Sequence, residues 1–177
     1  RSSDLYVALH PKMQAFQALP MSRLLYNAHT WCTASEDDLQ KWQNHMRKPV
    51  GLMVKHTLMG APPTHLDTED LFGMADLLPP TDQLHLARLR YFKRLIQYCP
   101  QALWTCLTSA LGTQHSWLDA CARSCEWFTR FYPHSFGPSN ADSASEWIPW
   151  IAMDANWKGR LRAAAAACKR HRRAVAE

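Results

Sequence analysis

Glycine is scarce in this chain, and Val, Ile and Thr are few beside Leu and Ala. Only six Gly occur in 177 residues, and this balance favours helix over sheet. No apolar run reaches the roughly 18–20 residues that span a bilayer, and residues 1–10 lack the apolar core of a secretory signal. A chain that begins at Arg1 without Met is expected to be a fragment or a processed product. We expect an intracellular protein with no transmembrane segment.

The residue patterns of common catalytic and cofactor sites are also missing. Nine His are scattered without an Asp or Ser in a catalytic arrangement, and no Gly-rich phosphate loop occurs. Cys121 and Cys125 share a helix face, but a structural zinc needs four ligands and no second pair matches them. Core packing is therefore favoured for this pair, and reduced thiols for the six Cys as a group. We predict no catalytic residues, no metal and no cofactor, so that the chain alone is not an enzyme.

Large apolar residues are plentiful and recur at helical spacing. Hydrophobic residues make up 47% of the chain. The clearest helix is predicted over 81–98, where Leu84, Leu89 and Phe92 fall on one face. Similar patterns predict helices over 11–31, 35–58, 68–77, 100–111, 116–131 and from about 155 onward, and Pro20 is expected to bend or divide the first of these segments. Pro49 is expected to kink or break the second of them, and Asp67 to cap the third.

The predicted fold class is all-α. We expect an irregular bundle of about seven to eight helices, arranged as two subdomains. Residues 1–111 form the first predicted domain and 112–177 the second, which ends in a basic C-terminal helix.

Positive charge is concentrated near the C-terminus. The formal net charge is +5, and residues 154–177 contain seven Lys or Arg against two acids. Four of these cations fall within 169–173, more than the capping of a helix end requires. Such a cluster indicates a polyanion partner, with nucleic acid preferred over an acidic protein or an anionic lipid surface.

Other basic residues could meet phosphates along the helices at 35–58 and 81–98. A solvated helix face is the structural alternative for each of them. The candidate nucleic-acid-binding residues are Arg23, Lys41, Arg47, Lys48, Arg90, Lys93, Arg94, Lys158, Arg162, Lys169, Arg170, Arg172 and Arg173. Trp147, Trp150 and Trp157 could stack on single-stranded bases, although their aliphatic neighbours favour a place in the core or an interface.

Four strings in the first half of the chain occur in the order of a known pattern. Residues 22–31 read SRLLYNAHTW and resemble the S-x-L-L-Y-G-A-E-T-W helix that follows the polymerase core of non-LTR retrotransposon reverse transcriptases. A helix that starts with acids after Ser35 comes next, with Leu39, Trp42, Gln43, Met46 and Arg47. Residues 74–79 (MADLLP) are similar to the family's G-L-P, and 86–95 (LARLRYFKRL) to its R-R-L-R-Y-L-G-R-L.

This resemblance implies the helical thumb and linker of such an enzyme, where the thumb grips a primer–template duplex. Asn27 and His29 depart from the family's Gly and Glu, and no Tyr-x-Asp-Asp string occurs in the chain. Two-metal polymerisation needs such paired carboxylates. The expected function is thus a non-catalytic, retroelement-derived module that binds duplex or RNA backbone without sequence reading.

Two alternatives to this function stay open. One is a structural accessory subunit of a larger protein assembly, for example an organellar or photosynthetic complex, with no nucleic-acid role. The other is a coding relic without function. The expected compartment is the nucleus for an active retroelement product and an organelle for a recruited subunit.

Overall fold

A computed structural model describes four long stretches of the chain and four single residues. The stretches are 36–55, 66–109, 116–138 and 143–176, and the single residues are Pro11, Gln14, Asn27 and Thr30. Within them lie seven helices and no strand, which confirms the all-α prediction. The helices are α1 (Glu36–Val54), α2 (Thr68–Met74), α3 (Pro80–Tyr98), α4 (Gln101–Ser109), α5 (Trp117–Phe131), α6 (Ala144–Met153) and α7 (Trp157–Ala176). None of these helices is both long enough and apolar enough to cross a membrane.

The described helices belong to two compact units. The first contains α1, α2 and the end of α7 from Lys169, and the second contains α3 from Asp82, then α4 to α6 and α7 as far as Cys168. The predicted boundary between 111 and 112 falls in residues 110–115, outside the described residues, and stays a prediction.

The first unit is held by an apolar stripe on α1. Met46, Val50 and Val54 recur every four residues and are buried together with Leu71 and Phe72 of α2. The expected break at Pro49 is not observed, because α1 continues through that residue. A proline removes one helical hydrogen bond, and the burial of its neighbours outweighs this loss. The predicted cap of α2 is confirmed, since the Asp67 side chain accepts from the Thr68 N–H at 2.6 Å.

The predicted helix over 11–31 is corrected at one residue. Pro11 and Gln14 are helical, but Asn27 has a φ of 58°. A residue in the left-handed region ends an α-helix, so the helix does not run through Asn27. Thr30 lies in a 3₁₀ turn, where its N–H donates to the Asn27 carbonyl at 2.9 Å, and the other residues of that segment lie outside the described residues.

The core of the second unit is aromatic and surrounds Phe128 of α5. Its ring lies 4.9 Å from Tyr132, 5.9 Å from Trp147 and 5.1 Å from Trp157, measured between centroids. The Trp157 indole N–H also donates to the Leu89 carbonyl at 3.1 Å. These contacts join α3, α5, α6 and α7 into one packed body.

A tight turn after α5 brings an aromatic residue towards α6. Gly137 has a φ of 109°, and a Cβ atom there would lie 2.3 Å from the Trp147 ring. Only glycine fits this backbone and this close approach. Gly137 therefore fixes the position of its neighbour Phe136.

Candidate nucleic-acid interface

The second unit contains a groove of about 750 Å³ between α3 and the junction of α6 and α7. We call it the basic groove. Its lining residues are Arg90, Lys93, Gln97, Ala152, Met153, Asp154, Ala155, Trp157, Lys158, Leu161 and Arg162. Nine candidate cations were predicted on α3 and α7, and four of them line the groove: Arg90, Lys93, Lys158 and Arg162.

Helical spacing explains why cations meet in the basic groove. Trp157 and Leu161 lie one turn apart on α7 and are buried, at 4% and 1% exposure. Lys158 and Arg162 each follow one of these anchors and share the next face, where both are exposed. Arg90 reaches the groove from α3 and is also exposed. Within the part of the chain that the structure describes, these three cations form no ion pair.

Lys93 differs from the neighbours with which it was predicted to act. It is half-buried, and its ammonium donates to the carbonyls of Ile151, Ala152 and Asp154 at the end of α6. The last carbonyls of a helix lack intrahelical partners, so Lys93 satisfies them and adds a favourable charge. The sequence did not predict this structural role, and the phosphate role of Lys93 stays a prediction. Arg94 is exposed and does not line the groove.

The one acid among the lining residues of the basic groove is Asp154. Its side chain is only 7% exposed and accepts from the Arg160 Nε at 2.8 Å and from the Asn156 N–H at 2.9 Å. The Arg160 guanidinium neutralises this carboxylate. Asp154 therefore offers little repulsion to an anion in the groove.

We call the four cations at 169–173 the C-terminal cluster. Two of them form ion pairs with acids of their own unit. Lys169 lies 3.4 Å from the Asp76 carboxylate and donates to the Asp76 carbonyl at 2.7 Å. Arg172 pairs with Glu69 at 2.8 Å. Of the other two cations, Arg170 is exposed, and the Arg173 side chain lies outside the described residues. The cluster that is densest in the sequence is thus divided by internal pairing.

The described candidates on α1 differ in exposure. Lys41 and Lys48 are exposed, whereas Arg47 is half-buried and donates to the Leu66 carbonyl. Arg23 lies outside the described residues. None of the three described residues lines the basic groove.

Exposure separates the three candidate tryptophans. Trp147 and Trp157 are 3% and 4% exposed and belong to the core, as their aliphatic neighbours indicated, while Trp150 is 44% exposed. Trp150 lines a second groove of about 450 Å³, which we call the aromatic groove. The other lining residues of the aromatic groove are Phe136, Pro149, Met153, Asp154 and Arg160.

Two thiols and one histidine of the second unit have structural surroundings. Cys121 and Cys125 are fully buried, which confirms their predicted place in the core, and burial raises the pKa of both thiols. His85 stacks on Trp127 at 5.7 Å between centroids, and its Nδ1 lies 3.0 Å from the Ser124 hydroxyl. No group of three or more His, Cys, Asp or Glu suited to a metal occurs among the described residues.

Sequence patterns did not indicate Phe136, Met153 and Gln97 as groove residues. The Gly137-Pro138 pair directly after Phe136 was the available sequence signal for a turn at this place.

Comparison of the chain with known protein families, with curated proteins and with solved structures gives no match.

Proposed function

We propose that this chain is a non-catalytic module that binds the backbone of nucleic acid without reading its sequence. The observation that carries this proposal is the basic groove. Arg90, Lys158 and Arg162 are exposed there, and the single lining acid is neutralised by Arg160. Cations that neutralise phosphates supply affinity by releasing counterions, which does not depend on base identity.

The proposal assigns the basic groove a larger share of binding than the C-terminal cluster. Lys169 and Arg172 are held by acids, and a phosphate would have to compete with those carboxylates. Arg90, Lys158 and Arg162 face no such competition among the described residues.

The proposal includes descent from the thumb of a retroelement reverse transcriptase. Its support is the ordered set of four similar strings in the first half of the chain. At Asn27, where the family pattern has Gly, the backbone of this chain is left-handed, with a φ of 58°. Asparagine is among the few residues that tolerate the left-handed region in place of glycine.

Charge reversal inside and outside the basic groove tests the proposed function. Arg162→Glu replaces an attraction to phosphate by a repulsion, and we expect a loss of affinity on the order of tenfold at low salt. Arg130→Glu is the matched control, because Arg130 is exposed on α5 and does not line the groove. Affinity is measured by fluorescence anisotropy with labelled oligonucleotides of three unrelated sequences.

The control variant is expected to stay within about twofold of the wild type, and the three sequences within about threefold of each other. Equal losses in Arg162→Glu and Arg130→Glu would mean that net charge, and not the groove, governs binding. Strong preference for one sequence would contradict backbone recognition.

A second candidate function is a structural subunit of a larger protein assembly. The observation that favours it is α4, an apolar helix without a single buried residue. Leu103 is 46% exposed, and Tyr98 just before α4 is 78% exposed. Aromatic residues are enriched at interface cores. Native mass spectrometry of the chain isolated from its source distinguishes the two candidates, by stoichiometric protein partners without nucleic acid or by bound nucleic acid.

A further inference from the structure

We infer that the nucleic acid is single-stranded, with phosphates in the basic groove and one unpaired base against Trp150 in the aromatic groove. This inference rests on the proposed function and adds the kind of strand that the site accepts. It is carried by the continuity of the two grooves and by the exposure of one tryptophan.

The two grooves meet at the end of α6. Met153 and Asp154 line both of them. Met153 is 87% exposed, so a flexible apolar side chain stands at the junction. The Asp154 carboxylate beside it is neutralised by Arg160. A strand whose phosphates lie along Arg90, Lys158 and Arg162 could therefore continue over this junction without meeting an unpaired acid.

Trp150 is held in place before any ligand binds. Its ring meets Phe136 edge to face at 5.5 Å between centroids. Phe136 is fixed in turn by the Arg160 guanidinium, which lies 4.1 Å from the centre of its ring. Arg160 is anchored by Asp154 and by the Tyr132 hydroxyl, at 2.8 Å and 2.7 Å. A rigid aromatic surface loses little conformational entropy when a base stacks on it.

Base stacking requires an unpaired base. In a duplex each base is paired and covered by its neighbours, and only an extruded base could reach an aromatic side chain. In a single strand every base can stack, and stacking on an aromatic residue contributes affinity whichever base is present. The combination of a cationic groove with an adjacent aromatic platform is therefore suited to a single strand.

An abasic strand tests this inference on the unaltered protein. Fluorescence anisotropy compares an oligodeoxyadenylate of about twelve nucleotides with an abasic tetrahydrofuran strand of equal length and with a blunt duplex. All three carry phosphates, but only the first offers unpaired bases. We expect the wild type to bind the base-bearing strand at least about fivefold more tightly than either of the others.

Two substitutions assign the preference to Trp150. With Trp150→Ala, the affinities for the base-bearing and abasic strands are expected to fall within about twofold of each other, because the platform is lost. With Trp150→Phe, most of the preference is expected to remain, because a ring is retained. Circular dichroism checks that both variants are folded.

The outcomes separate this inference from the proposed function. Equal affinity of the wild type for base-bearing and abasic strands, with both weakened by Arg162→Glu, overturns the inference and leaves the proposed function standing. A preference that survives Trp150→Ala overturns the assignment to the aromatic groove. Absence of binding to all three polyanions overturns both, and an apolar protein segment is then the better occupant of the aromatic groove.

Discussion

At the scale of single residues, His85 makes the stability of the folded protein depend on pH. Burial lowers its pKa from 6.5 to about 4, with help from the charge of Arg88, while Asp82 opposes the shift. Arg123 and Arg130 on α5 act in the same direction as Arg88. The folded protein therefore prefers the neutral imidazole. The contribution of neutral His85 to the free energy of unfolding is complete above pH 6.5 and is lost as the pH falls from there towards 4.

His85→Gln tests this linkage. Each pH unit between the two pKa values is worth about 1.4 kcal/mol, so the wild type loses roughly 3 kcal/mol through His85 between pH 7 and 4. Gln cannot take up the proton. The difference in unfolding free energy between the wild type and the variant should therefore fall by this amount between pH 7 and 4. Urea unfolding of both proteins at the two pH values measures it. A constant difference in unfolding free energy would contradict a neutral, buried His85.

At the scale of secondary-structure elements, α6 depends on a side chain from α3. The helix contains Pro149 and ends at Met153, where the Lys93 ammonium donates hydrogen bonds to three carbonyls. Hydrogen bonds from a charged donor are stronger than neutral ones. Lys93 is therefore the residue that holds the end of α6 between the two grooves.

Lys93→Met is expected to destabilise the protein by about 1–3 kcal/mol, because it leaves those carbonyls without a donor while it preserves the bulk of the side chain. Lys158→Met is the matched control, because Lys158 is exposed on the wall of the same groove. Exposed substitutions of that kind usually change stability by less than about 0.5 kcal/mol. Denaturant unfolding compares the two variants, and equal stabilities would exclude the capping role of Lys93.

Local features of the elements were predictable from the sequence, and distant pairings were not. The cap at Asp67 and the buried stripe of Leu84, Leu89 and Phe92 depend on residues a few positions apart. Lys93, by contrast, meets Ile151 across 58 residues. No periodicity encodes such a contact, so Lys93 looked like one more phosphate-binding cation.

The same limit applies to the candidate site. The charge count selected Lys158 and Arg162 only as members of the basic C-terminal segment, and both are exposed on α7. It could not show that Lys169 would meet Asp76, which lies 93 residues earlier. Nor could it separate exposed Trp150 from buried Trp147, since the distinction depends on packing against Phe128.

At the scale of the whole molecule, a net charge of +5 does not identify the binding surface. Internal pairing removes part of the C-terminal cluster, and Lys93 is used for packing. What remains in the second unit is a groove with three exposed cations beside an exposed aromatic residue. We propose that these three cations, and not the total charge, bind phosphates.

The salt dependence of binding tests this claim most directly. For a single strand on three phosphate-binding cations, the slope of log K against log salt concentration is expected to be about −2. Arg90→Gln with Arg162→Gln should reduce it to about −0.7. Arg123→Gln with Arg130→Gln removes the same charge outside the groove and should leave the slope near −2. A slope that falls only in this second pair, or equally in both, would contradict the account.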